Sequence, residues 1–126
     1  MSLERFSCTL IVMWSALGCG EGGEHGSSSK PLTCDAQRVT QCPDGDSPVY
    51  ADVQPIFEQT CASAACHSGF EGGPWPLDNY SHVADWQDVI RDELLTCAMP
   101  PPDSGVSLAY DQRQRILTWI RCGYRE

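Results

Sequence analysis

Positive charge is scarce where this chain is richest in acid. Between positions 44 and 111 twelve carboxylates stand against one basic residue, Arg91, while Arg113, Arg115, Arg121 and Arg125 gather near the C-terminus. A segment so acidic repels a phosphate backbone, which argues against nucleic-acid binding. It serves either as a solvated surface or as the docking side for a basic partner protein. Long apolar runs are missing too: residues 10–17 form a short one, too short to span a bilayer. No segment shows the apolar–polar alternation of a half-buried strand, and no serine, histidine and acid set stands out for hydrolysis. Methionine is nearly absent, since removal of an N-terminal leader would leave Met99 alone.

Cysteine, in contrast, is abundant. Eight cysteines in 126 residues fit an oxidising compartment, where cross-links support a domain too small to hold a large core. Residues 1–18 read as a removable signal peptide, with Arg5 ahead of the apolar stretch and small residues after it. The segment Ala16-Leu17-Gly18-Cys19 resembles a bacterial lipobox. That resemblance implies lipidation of Cys19, export, and a membrane anchor on the periplasmic side. Gly20 in place of an aspartate favours the outer membrane by the same likeness. A plain signal peptide cut nearby, with Cys19 a spare thiol, is the alternative. Residues 20–29 have nothing apolar to bury and form a disordered spacer within a linker spanning 19–47. Cys34 and Cys42 flank a polar stretch of that linker, and a local Cys34–Cys42 disulfide is the simplest account of them.

The remaining residues, 48–126, read as one small all-α domain with irregular Gly- and Pro-rich loops. Three helices are expected. The first covers about 52–61, with Asp52 as its cap and Pro55 in its first turn. The second covers about 82–97, with Trp86, Val89, Ile90, Leu94 and Cys97 at three- and four-residue steps. The third covers about 108–122 and stops at Gly123. Trp75 and Trp119 are expected in the core.

Cys61, Cys66 and His67 carry the chemistry. Two thiols with a histidine directly after the second are what covalent haem attachment requires: the thiols add to two vinyl groups and the imidazole ligates iron. Four residues separate the cysteines, where two are usual. Met99 precedes three prolines, a stiff setting for a thioether ligand. Residues 48–123 resemble the small cytochrome c domains of exported bacterial proteins, through Asp52-Val53-Gln54-Pro55-Ile56-Phe57, Cys66-His67, Met99-Pro100-Pro101 and Trp119-Ile120. The resemblance implies one covalent haem c on Cys61 and Cys66, with His67 and Met99 as axial iron ligands. It implies an electron carrier and not an enzyme, working with a redox partner protein.

Cys97 and Cys122 lie outside that motif, and a Cys97–Cys122 disulfide would join the second helix to the last. Six cysteines without Cys8 and Cys19 divide either into two disulfides and a haem pair or into three disulfides. A haem-free, disulfide-stapled lipoprotein acting as a binding or structural module is therefore the alternative reading. A zinc site of Cys61, Cys66, His67 and His82 is a third, and His82 is also the competitor of Met99 for the second axial position.

Overall fold

The computed structural model describes residues 34–63, 65–69 and 75–126. The expected signal peptide, the expected lipidation at Cys19 and the expected spacer before position 34 lie outside the described residues. Within them the chain is all-α, with four helices and no strand. None of these helices is long and apolar enough to cross a membrane.

Helix α1 spans Tyr50–Ile56 and continues as a π-turn over Phe57–Cys61. It starts two residues before its expected position. Asp52 is therefore not the cap but the third helical residue, whose carboxylate accepts from the Val49 N–H at 2.9 Å. Pro55 falls inside the helix and removes one N–H from the ladder. One turn later the ladder widens, and the Ala62 N–H donates five residues back to the Phe57 carbonyl at 2.7 Å.

The expected second helix is two helices, α2 at Tyr80–Asp85 and α3 at Gln87–Leu95. The break falls at Trp86, which leaves helical geometry at φ −108° and ψ 10°. Its indole stacks on Trp75 with ring centroids 4.7 Å apart. Asn79 caps α2 by accepting from the His82 N–H at 3.0 Å. Helix α4, Tyr110–Arg121, packs against both α1 and α3 and supplies the centre of the core. Trp119, Ile116, Val53, Phe57 and Val83 are fully buried there. The Trp119 indole N–H and the Tyr50 backbone N–H both donate to the Arg125 carbonyl at 2.8 Å, tying the start of α1 to the end of the chain.

Helices α3 and α4 end alike. After α4, Tyr124 N–H donates to Trp119 O and Gly123 N–H to Ile120 O, with Gly123 at φ 96° as expected of a helix stop. After α3, Ala98 N–H donates to Glu93 O and Cys97 N–H to Leu94 O. Here the left-handed position is held by Cys97, at φ 56°. A residue with a Cβ costs about 1–2 kcal/mol there, so outside contacts must hold it.

Those contacts include a disulfide different from the one expected. Cys97 pairs with Cys34, and Cys42 pairs with Cys122, each with Cα atoms 5.6 Å apart. Neither Cys97–Cys122 nor Cys34–Cys42 forms. The reason is topological. Arg113, in the first turn of α4, donates to the Leu94 carbonyl and to Cys97 Sγ, both at 3.0 Å, so Cys97 sits beside the start of α4. Cys122 lies nine residues further along, about 13 Å away at the helical rise, beyond the roughly 7 Å limit for a bridge. Residues 34–42 are thus no free part of a linker: they form a strap laid along α3 and α4 and bolted at both ends.

Candidate functional site

A cavity of about 330 Å³ opens between the 57–67 segment, α3 and the loop after it. The π-turn sets its first wall. By widening the helix just before Cys61 it turns Phe57, Thr60 and Cys61 toward the cavity. The chain then folds back on itself: Cys66 N–H donates to Ser63 O at 2.9 Å and His67 N–H to Cys61 O at 3.0 Å. These bonds bring Cys66 and His67 back beside Cys61, and all three line the cavity.

His67 is oriented by its Nδ1, 3.1 Å from the Trp75 carbonyl. A carbonyl can only accept, so Nδ1 carries the proton and Nε2 is the basic nitrogen of the neutral ring. A second strut runs from the Leu77 N–H to the His67 carbonyl at 2.8 Å. To present its carbonyl, Trp75 takes φ 65°, a left-handed conformation rare outside glycine. Its indole is 46% exposed and lines the mouth. Trp75 is therefore a rim residue and not the core residue expected, whereas Trp119 is buried as expected.

Met99 also lines the cavity, on the loop that follows α3, and is 38% exposed. Three devices hold that loop: the Glu93 carbonyl, which accepts from Ala98 and Met99, the Cys34–Cys97 bridge, and Arg113. Arg113 is buried, and its Nε has no partner among the described residues.

His82 does not reach the cavity. Its Nδ1 lies 2.7 Å from Asp78 and 2.9 Å from Asn79, on the exposed side of α2. The hydrogen bond from His82 holds the Asp78 carboxyl below its usual range. Among the described residues no group of three or more His, Cys, Asp or Glu is placed to hold a metal ion, so the zinc arrangement of Cys61, Cys66, His67 and His82 does not form.

Cys61 and Cys66 are unpaired and half-buried. Burial first, and the neighbouring Cys66 second, push the Cys61 thiol up to about 11. It is a protonated thiol at neutral pH, shielded from competing thiolate chemistry. The lining is otherwise mostly apolar, with Leu77, Trp86, Ile90, Leu94 and Ile116 among the walls. Two unpaired thiols, an imidazole with a fixed tautomer and one thioether around an apolar cavity form a donor set that fits a covalently held haem. Iron–thioether and iron–imidazole bonds need neutral soft and borderline donors, and a flat apolar macrocycle needs apolar walls. Trp75, the π-turn and Arg113 are the parts of this site that sequence reasoning missed. Comparison with family models, with curated proteins and with solved structures finds no match to this chain.

Proposed function

We propose that this chain is a monohaem c-type cytochrome that passes single electrons, exported and tethered by a lipid on Cys19 to the periplasmic side of a bacterial membrane, the outer one favoured. One observation carries the reading: the Cys61, Cys66 and His67 cluster and Met99, about thirty residues further along the chain, line the same apolar cavity. When bound, haem supplies an iron that cycles between ferrous and ferric states. Cys61 and Cys66 would hold it as thioethers, each S–H adding across one vinyl group so that sulfur and hydrogen are both retained. His67 would supply the imidazole, its ring oriented by the contact of Nδ1 with the Trp75 carbonyl. Met99 offers a soft thioether, which with the apolar walls favours the less charged ferrous state.

The partner on this reading is a basic redox protein. Asp85, Asp88 and Asp92 are exposed on α2 and α3, and Glu93 reaches the cavity itself. The test is co-expression with a c-type maturation system that accepts the longer cysteine spacing, followed by a denaturing gel stained for haem peroxidase activity. Staining of wild type, lost in Cys61→Ser/Cys66→Ser, supports the reading. A colourless, unstained, folded protein sinks it in favour of a haem-free disulfide-stapled module.

A further inference from the structure

Basic residues are few in this chain: eight, against seventeen acidic ones. Three of the eight, Arg38, Arg91 and Arg121, nevertheless line one cleft of about 370 Å³, which takes residues of α3 and α4 other than those lining the thiol-lined cavity. They come from three separate elements: Arg38 from the strap, Arg91 from α3, Arg121 from the end of α4. The two disulfides and the packing of Val39 against the core hold the strap there. Arg91 is oriented by its own helix, with Nη1 2.6 Å from Asp88 and Nε 3.0 Å from Asp92. Those bonds leave its Nη2 without a partner among the described residues. Arg38 and Arg121 are exposed and have no acidic partner among the described residues. Val39, Leu95 and Leu117 complete the lining as its apolar part.

Arg91 is already paired with Asp88 and Asp92, so the positive charge with no acidic partner among the described residues is that of Arg38 and Arg121, although a chain of net charge −9 has many carboxylates that could have been placed beside them. The Arg38 and Arg121 forks can each meet two oxygens and Arg91 Nη2 one more, a set that suits an anion with at least three oxygens better than a planar carboxylate with two. The apolar lining suits a carbon body attached to that anion. We infer that this cleft is a binding site for a phosphoryl group carrying an apolar substituent, either a soluble phosphate ester or the headgroup of an anionic phospholipid. The site shares no residue with the thiol-lined cavity, so it stands whether or not haem binds there.

The test uses the full chain. Inorganic phosphate and phenyl phosphate are titrated while backbone amide NMR shifts are followed, and flotation is measured with vesicles of phosphatidylglycerol and phosphatidylcholine. Expected shifts centre on residues 38–40 and 121, with phenyl phosphate tighter than inorganic phosphate. Arg38→Gln/Arg121→Gln weakens the binding at least tenfold. Arg115→Gln, an exposed arginine of α4 outside the cleft, removes one charge and leaves binding within twofold. Saturable binding of the soluble phosphates with vesicle flotation unaffected by the double variant assigns a soluble ester. Flotation lost in the double variant assigns the headgroup. Failure of both probes, or equal weakening by Arg115→Gln, overturns the site.

Discussion

Removal of the Cys34–Cys97 bridge is the perturbation whose outcome follows most directly from the connectivity. Taken alone, the bridge closes a loop of 63 residues, worth about 4.3 kcal/mol in the chain-entropy model. The second bridge changes that figure. With Cys42–Cys122 in place, the shortest ring runs from Cys34 to Cys42, across the bridge to Cys122, and back to Cys97, about 33 residues in all, so the contribution falls to about 3.7 kcal/mol. Cys34→Ser/Cys97→Ser keeps an oxygen where Arg113 donates, which confines the change to the covalent link. The double variant should lose about 3 to 4 kcal/mol in urea unfolding, or about 15–30 °C in Tm for a domain of this size. A thiol count sharpens the test. In Cys34→Ser/Cys42→Ser, Cys97 beside the start of α4 and Cys122 at its end are left apart and should both titrate as free thiols in the folded protein. If they pair with each other instead, or if the first double variant loses less than about 1 kcal/mol, the strap topology is wrong.

Four further outcomes are expected. Gly69 sits at φ +75° with an added Cβ only 2.9 Å from Pro76 Cβ, so Gly69→Ala should cost about 1–3 kcal/mol through backbone strain and overlap, and it should impair haem staining because the contact between His67 and Leu77, next to these two residues, is displaced; unchanged melting would contradict this. In the unloaded protein the Cys61 thiol, raised to about 11 from an ordinary 9.0, stays protonated in the fold while the unfolded chain ionises. Stability is therefore fully present below pH 9 and falls by about 2–3 kcal/mol as pH rises toward 11, a decline that urea titrations should show in wild type and not in Cys61→Ser. Met99→Ala in haem-loaded protein should abolish the weak long-wavelength charge-transfer band of sulfur-ligated ferric haem, while His82→Ala leaves it intact; survival of the band without Met99 removes that residue from the iron. Mass spectrometry of membrane-extracted protein should find lipidated Cys19 at the mature N-terminus, and a fully soluble protein with another N-terminus would refute the tether.

Local information decided a good deal here. The three- and four-residue steps of Val53, Ile56 and Phe57, and of Ile116, Leu117 and Ile120, mark helix faces that are in fact buried together, because an amphipathic period depends only on neighbours along the chain. Gly123 as a stop is likewise local. The adjacency of Cys66 and His67 and the proline-backed Met99 singled out the cavity residues, although nothing in either motif says that they face each other.

The rest required the tertiary structure. Disulfide partners are chosen by proximity in space, and sequence neighbours such as Cys34 and Cys42 are drawn to opposite ends of α4 once the strap lies along it. The break at Trp86 follows no helix-breaking residue; it accompanies the stacking of Trp86 on Trp75, a partner from another segment. Trp75 looked like core by composition alone, yet its carbonyl is committed to His67 and its ring to the rim. The arginine cleft was invisible for the same reason. Arg38, Arg91 and Arg121 read as isolated charges along the chain, and only the packing of strap, α3 and α4 makes them neighbours. Periodicity reports which face of an element is apolar, whereas long-range pairing depends on which faces meet, and that is settled by the joint packing of the whole domain.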